Sequence, residues 1–233
     1  MLRSLPVLLF ALVVSGCYAT QQSADYYGID TALPGQGVVF VVDVSGSMEG
    51  KQEGSVEDLA RGAAANAAGR TVERTVGGRV GRLLGGQVRG EATKLGAAKR
   101  ELIPVIRGLD PASRFTVITF GSRIDPWRGA LVDAGGTNKN LAMAHVNGLD
   151  ANGGTPIQEA VERAFGVAGA DVIFLMTDGQ PTDAQPSQIL ATARGLNAGR
   201  RVTLHTVGLG PDQDRDFLRA LATENGGTYI ERD

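Results

Sequence analysis

The feature that most constrains the fold is a run of five apolar residues, 38–42, in which every side chain is β-branched or aromatic. Such a run is typical of a strand that is buried on both faces of a parallel sheet. Similar runs occur at residues 115–120, 172–176 and 202–207, and a shorter one at 228–230. The chain is therefore expected to form a sheet whose central strands are covered on both sides.

Helical patterns separate these strands. Several of them carry capping signals; Thr155 and Pro156, for example, suit the N-cap and the first position of a helix. Alternating strands and helices predict an α/β fold, with a doubly wound, mostly parallel central sheet flanked by helices in one domain. The predicted helices span residues 94–107, 140–147, 156–167, 187–197 and 214–224.

Composition excludes several kinds of function. The chain has 23 Lys and Arg against 25 Asp and Glu, so it has no overall positive field for binding nucleic acid. Its single cysteine excludes an internal disulfide and a Cys-rich zinc site, and two histidines leave little for a catalytic zinc. We expect His145 at the surface and His205 packed within a strand.

The N-terminal residues are expected to be an export signal. Arg3 precedes an apolar run at 5–14, which is about half the ~20 residues that a membrane-spanning helix needs. The run ends in Val-Ser-Gly-Cys at residues 14–17, which resembles the bacterial lipobox. An ordinary secretory signal with a chance cysteine at its end is the alternative.

The lipobox resemblance implies a lipid anchor. Residues 1–16 would be removed, and Cys17 would be acylated and bind the membrane through its acyl chains. Residues 17–36 would comprise this cysteine and a polar tether. Because Tyr18 is not the aspartate that retains lipoproteins at the inner membrane, the resemblance implies a cell-envelope location at the outer membrane.

Oxygen-bearing side chains cluster after two of the predicted strands. Asp43, Ser45 and Ser47 follow the first strand, Asp178 follows the third, and Thr155 stands where a helix is predicted to begin. Because ligands of open α/β sheets bind at the carboxyl ends of the strands, we expect all five side chains on one rim. Carboxylate and hydroxyl oxygens suit a hard cation such as Mg²⁺. Singly, each residue could instead be a helix cap or a turn former.

This order of residues resembles the metal-ion-dependent adhesion site of the von Willebrand factor type A family, and the resemblance covers residues 37–233 apart from one insertion. It implies that Ser45 and Ser47 bind the ion directly, and that Asp43, Thr155 and Asp178 bind it directly or through water. The implied ion is Mg²⁺, with Mn²⁺ or Ca²⁺ as alternatives. An open coordination position would then accept an Asp or Glu carboxylate from a partner protein.

These features favour a protein-binding module for adhesion or complex assembly on a lipid-anchored envelope protein, and not an enzyme. A metal-dependent phosphohydrolase is an alternative, because Asp43 at a strand end resembles the nucleophile of haloacid-dehalogenase-like phosphatases. Ser45, however, stands where such enzymes have a second acid. The other alternative is a scaffold lipoprotein whose metal is structural and which assembles through a Gly/Arg-rich insertion at residues 53–90.

An insertion rich in Gly and Arg, residues 53–90, interrupts the resemblance. Residues 61–89 hold six Arg and one Glu, a local net charge of +5, and include a GxxxGxxxG series. Three interpretations remain open: a solvated flexible segment, a helical hairpin or oligomer contact, and a basic amphipathic segment on anionic lipid. Because it follows Ser47, the insertion is expected to leave the fold at the metal rim.

Overall fold

A computed structural model of the chain describes residues 34–50 and 93–232, together with two short strands that pair antiparallel, β1 (Asp25–Tyr26) and β2 (Ile29–Asp30). The predicted signal at 1–16, Cys17 and the insertion at 53–90 lie outside these residues. In the described part of the chain, no helix combines the length and apolarity needed to span a bilayer.

A seven-stranded sheet forms the centre of the domain. Its strands are β3 (Gly37–Asp43), β4 (Arg114–Phe120), β5 (Ile124–Pro126), β6 (Val132–Asp133), β7 (Val172–Thr177), β8 (Thr203–Leu209) and β9 (Tyr229–Arg232). The order β4-β3-β7-β8-β9 is parallel throughout, which confirms the predicted doubly wound sheet. The strands β5 and β6, which pair antiparallel with β4, were not predicted.

In the part of the chain that the structure describes, five helices flank the sheet, as predicted. A 3₁₀ turn (Gly46–Glu49) follows β3, and the helices are α1 (Lys94–Gly108), α2 (Gly136–Asn147), α3 (Ile157–Phe165), α4 (Pro186–Asn197) and α5 (Arg215–Glu224). The predicted start of α2 at residue 140 is wrong, because the helix begins at Gly136. Its polar first turn has no apolar periodicity from which the start could be found.

Two apolar layers cover the two faces of the sheet. Side chains of a strand alternate between faces, so the apolar run of β3 supplies both layers. Val38, Phe40 and Val42 pack in a cluster with α1 and α2. Val39 and Val41 pack in a second cluster with α3, α4 and α5. Burial on both faces is the reason that the run contains no polar residue.

Two lysines link α1 and α2, each by a bond to the C-terminal end of the other helix. Lys99 of α1 donates from Nζ to the carbonyl oxygen of Asn147 at 3.1 Å, and Lys139 of α2 donates to that of Arg107 at 3.2 Å. The last carbonyls of a helix have no partner within it and attract cations. Each helix therefore caps the C-terminal end of the other.

The two histidines differ from each other in their surroundings. His205 is buried, stacks on Phe174 with ring centroids 5.0 Å apart and accepts the Thr228 N–H at 3.0 Å, as expected for a packed strand residue. His145 is half-buried and its Nε2 is buried without a hydrogen-bond partner, so it is less exposed than a free surface side chain. Burial lowers the pKa of both side chains.

Candidate metal centre

The strand order reverses beside β3. This strand lies between β4 and β7, so the chain leaves β3 toward one side and later returns on the other. A crevice for ligands forms at such a switch point, at the carboxyl ends of the strands. Asp43 is the last residue of β3, and Asp178 directly follows β7. Both predicted carboxylates therefore lie at this crevice.

The loop after β3 folds back on its own carboxylate. Oδ1 of Asp43 accepts the backbone N–H of Ser45 at 2.7 Å, and the hydroxyl oxygens of Ser45 and Ser47 are 3.0 Å apart. Ser45 is buried and Ser47 is exposed. The two hydroxyls thus form a pair that extends from the buried carboxylate to the surface.

Thr177 joins the ends of β3 and β7, and sequence reasoning missed it. Its hydroxyl donates to Oδ2 of Asp43 at 2.5 Å and accepts the N–H of Gly179 at 3.0 Å. The signal available in the sequence was a hydroxyl directly before Asp178 at the end of a buried strand. Thr177 holds one oxygen of Asp43, and Ser45 holds the other.

Backbone hydrogen bonds bring the loop of Thr155 to the same rim. The N–H of Gly46 donates to the carbonyl of Gly153 at 3.0 Å, and the N–H of Asn152 donates to that of Val44 at 2.6 Å. Gly153 has φ +81°, and a Cβ there would lie 2.3 Å from the Ser122 nitrogen. Only glycine fits this approach, which places Thr155 beside the β3 loop.

Thr155 does not cap α3, so that prediction is wrong. The helix begins at Ile157 with Pro156 at the N-cap position. The carboxylate of Asp183 accepts the N–H groups of Gln158 at 3.2 Å and Glu159 at 3.0 Å. Because a carboxylate from a distant loop satisfies these first amides, the helix does not require the Thr155 hydroxyl.

Asp178 has an unsatisfied oxygen. The residue is 2% exposed, and its Oδ1 is buried without a hydrogen-bond partner. Its Oδ2 lies 3.5 Å from Nζ of Lys94, a residue that sequence reasoning did not place in the site. A buried carboxylate oxygen without a partner is costly unless a cation or proton satisfies it.

Burial also disfavours the charge of Asp43. Burial is the main cause of a rise in the pKa of this carboxyl to about 6, and the nearby charge of Asp178 contributes to that rise. Hydrogen bonds from Ser45 and Thr177 lower the pKa but do not offset burial. Two buried carboxylates that repel one another create a negative site, which a cation would stabilise.

The donor set suits a hard cation. In residues 34–50 and 93–232, no three His, Cys, Asp or Glu side chains cluster as metal ligands. The crevice has two carboxylates, and its other candidate donors are the hydroxyls of Ser45, Ser47 and Thr155. Oxygen donors with few carboxylates fit Mg²⁺, which keeps several waters, better than they fit zinc or copper.

Comparison with known proteins identifies the family. Residues 36–62 and 87–230 match the sequence model of the von Willebrand factor type A domain. The chain belongs to this family. Residues 63–86, between the two matched stretches, fall within the Gly/Arg-rich insertion. The fold is therefore that of a von Willebrand factor type A domain.

Relatives cover most of this domain at low identity. Inter-alpha-trypsin inhibitor heavy chain H4 of Homo sapiens is 32% identical over 148 residues, which are 58% of this chain and 16% of that protein. Heavy chain H1 of Mesocricetus auratus is 26% identical over 206 residues, 82% of this chain and 18% of that protein. The chain thus spans no more than 18% of either relative.

Solved structures share the fold. A von Willebrand factor type A protein from Catenulispora acidiphila matches with a TM-score of 0.61 and 23% identity, over 86% of this chain and 39% of that one. An aerotolerance-related membrane protein from Bacteroides fragilis matches with a TM-score of 0.57 and 16% identity, over 85% and 92% of the two chains. These likenesses concern the fold alone.

Proposed function

We propose that this type A domain binds a protein partner through a divalent cation held by Asp43, Ser45, Ser47, Thr155 and Asp178. The observation that carries the proposal is the buried, unpartnered Oδ1 of Asp178 beside the buried carboxylate of Asp43. Mg²⁺ fits this donor set best, and Mn²⁺ or Ca²⁺ are the alternatives.

Some residues of the site would hold the ion, and others would leave it accessible to a partner. Ser45 and Thr177 fix the two oxygens of Asp43, so the carboxylate is oriented before any ion arrives. The exposed position of Ser47 places the outer side of the site in contact with solvent. When bound, the cation supplies an electrophile with an open coordination position, which a partner's Asp or Glu carboxylate can enter.

A two-stage titration tests this proposal. Mn²⁺ binding is first measured by electron paramagnetic resonance, with Asp43→Ala as the negative control. NMR then follows addition of a peptide with one glutamate, and of the same peptide with glutamine, in Mg²⁺ and in EDTA. We expect shifts at the Ser45 and Ser47 amides only for the glutamate peptide in Mg²⁺; equal shifts for both peptides contradict carboxylate recognition.

The same measurements separate this proposal from the two alternatives. A large metal-dependent rise in melting temperature without carboxylate binding would favour the scaffold with a structural metal. Metal-dependent hydrolysis of a phosphate ester that Asp43→Asn abolishes would favour the phosphohydrolase. Ser45, which pairs with the Ser47 hydroxyl, offers no carboxylic acid two residues after Asp43. This departure favours binding over catalysis.

We further propose that Cys17 anchors the domain to the cell envelope, at the outer membrane, through a tether at residues 17–36. The support is the Val-Ser-Gly-Cys sequence at 14–17 after an apolar run of signal length. Mass spectrometry of the mature protein should find an acylated Cys17 at the N-terminus. Cys17→Ser should release the domain from membranes, whereas an unmodified cysteine in the native protein would contradict the anchor.

The insertion at 53–90 is proposed to adjust partner binding or self-association. It joins the described chain between Gly50 and Thr93, whose neighbours lie at the metal rim. Deleting residues 54–90 should leave the fold intact and change partner binding or oligomeric state, as measured by sedimentation. Loss of folding would instead assign the insertion to the core.

A further inference from the structure

Lys94 places a buried ammonium beside the candidate metal centre. Its side chain is 4% exposed, and Nζ lies 3.5 Å from Oδ2 of Asp178 and 2.5 Å from Oδ1 of Asp212. Asp178 is buried, whereas the side chain of Asp212 is 57% exposed. One ammonium is thus shared between a carboxylate of the metal centre and a carboxylate at the surface.

The local structure builds this position. The N–H of Lys94 donates to the carbonyl of Gly50, and the N–H of Gly50 donates to that of Ser47, both at 3.0 Å. These bonds attach the first turn of α1 to the turn that carries Ser47. These bonds therefore hold the backbone of Lys94 close to Ser47, a proposed ligand.

A glycine after β8 makes room for the lysine side chain. A Cβ on Gly210 would lie 2.5 Å from Cε of Lys94. Gly210 also has φ +83°, a conformation that other residues rarely adopt. The backbone after β8 thus approaches the lysine closely and delivers Asp212 to its ammonium.

We propose that Lys94 is a positioning residue whose ammonium acts as a resident cation, meaning a built-in positive charge beside Asp178. This charge lowers the affinity of the centre for divalent ions. The proposal rests on the proposed function, because it assumes a cation shared by Asp43 and Asp178. Without the ion, the ammonium partly neutralises Asp178. With the ion, the two positive charges share one carboxylate and repel each other, so binding is weaker than two carboxylates alone would give.

Asp212 moderates this repulsion. Its carboxylate is the nearer partner of Nζ and draws the positive charge toward the surface and away from Asp178. Loss of Asp212 should therefore leave more of the lysine charge on the metal centre. The pair predicts opposite effects from two substitutions: removal of Lys94 strengthens divalent binding, and removal of Asp212 weakens it.

Mn²⁺ titration of the full chain, followed by electron paramagnetic resonance, tests the proposal with circular dichroism as the check of folding. We expect Lys94→Met to tighten Mn²⁺ binding by roughly tenfold or more, Lys94→Arg to stay near wild type, and Asp212→Asn to weaken binding several-fold. Lys99→Met in the same helix as Lys94, and Asp216→Asn four residues after Asp212, remove the same charges without touching the shared ammonium. Both controls should stay within about twofold of wild type.

The outcomes separate the two proposals. If wild type binds Mn²⁺ but folded Lys94→Met binds with equal or lower affinity, Lys94 is only a structural ion pair and this inference is overturned. If neither protein binds Mn²⁺, the metal centre itself is wrong. Binding by Lys94→Met alone supports the resident cation. If Lys94→Met does not fold, Asp212→Asn decides, and an affinity equal to that of Asp216→Asn overturns the inference.

Discussion

The two ends of the central sheet differ in how completely their polar groups are hydrogen-bonded. At the amino end, Oδ2 of Asp171 accepts the N–H of Gly37 at 2.7 Å, and the side chains of Asn197 and Asn225 are hydrogen-bonded at 3.0 Å. At the carboxyl end, Oδ1 of buried Asp178 has no partner. The named polar groups at the amino end satisfy one another by hydrogen bonds, whereas the carboxyl end leaves one buried carboxylate oxygen without a partner.

This difference separates polar groups that the fold satisfies from polar groups that are proposed to hold a ligand. Burial raises the pKa of Asp43 to about 6, so at neutral pH the fold retains a charge that its surroundings disfavour. Functional sites commonly hold such groups at the expense of stability. Substitutions at the two ends should therefore affect different measurements.

The largest expected effect is loss of metal binding at the carboxyl end. Asp43→Ala or Asp178→Ala should weaken Mg²⁺ binding at least ~100-fold, because each removes one of two carboxylates from the centre. Isothermal titration calorimetry measures the affinity. Asp171→Asn at the amino end is the matched control and should bind Mg²⁺ as wild type does. An equal loss in both variants would show that the two ends are not independent.

Next in size is a loss of stability at the amino end. A Cβ at Gly37 would lie 1.9 Å from the carbonyl oxygen of Gly169, so Gly37→Ala should lower the free energy of unfolding by about 2–3 kcal/mol. Gly195→Ala in α4 meets no atom within 4 Å and should be neutral or stabilising. Urea denaturation measures both. Weakened Mg²⁺ binding by folded Gly37→Ala would contradict the separation.

A smaller effect is a pH dependence of the metal-free protein. The native state takes up a proton on Asp43 near pH 6, whereas the unfolded chain does so near 3.8. The native state therefore binds more protons between these values, and its stability rises as pH falls. For Asp43 alone the gain from pH 8 to pH 5 is on the order of 1 kcal/mol.

Comparison with Asp43→Asn isolates this contribution, because Glu101, whose pKa burial raises to about 7, adds a slope of the same sign. Thermal denaturation in EDTA should show a shallower pH dependence for the variant. Stability of the metal-free wild type rises as pH falls, but its affinity for Mg²⁺ should decrease at pH values below 6, because the proton competes with the cation. A parallel pH dependence in wild type and variant would refute the assignment to Asp43.

The smallest expected effect is at Ser47. Its exposed hydroxyl can be replaced by water, so Ser47→Ala should weaken Mg²⁺ binding roughly threefold to tenfold and change stability by less than about 0.5 kcal/mol. The calorimetric titration and urea denaturation described above measure both. If Ser47→Ala lowers the free energy of unfolding by more than it weakens the free energy of Mg²⁺ binding, Ser47 stabilises the turn and does not bind the ion.

The strands and helices could be predicted where their burial imposes a pattern. The two-sided burial of β3 requires an apolar side chain at every position, and this is visible in the sequence. The strands β5 and β6 have three and two residues and pair only at the edge of β4. Such short strands carry too little pattern to be distinguished from turns.

The sequence by itself determined which oxygen donors follow which strands, because a parallel sheet delivers all strand ends to one rim. Only the tertiary structure decided what each donor contacts. Thr177 holds Asp43, Asp183 takes the helix-capping role expected of Thr155, and Lys94 meets Asp178 across 84 positions of sequence. The sequence does not show which distant groups a charged or hydroxyl side chain contacts, because any pairing that satisfies a buried group is chemically acceptable. The packing of the fold selects one of these pairings.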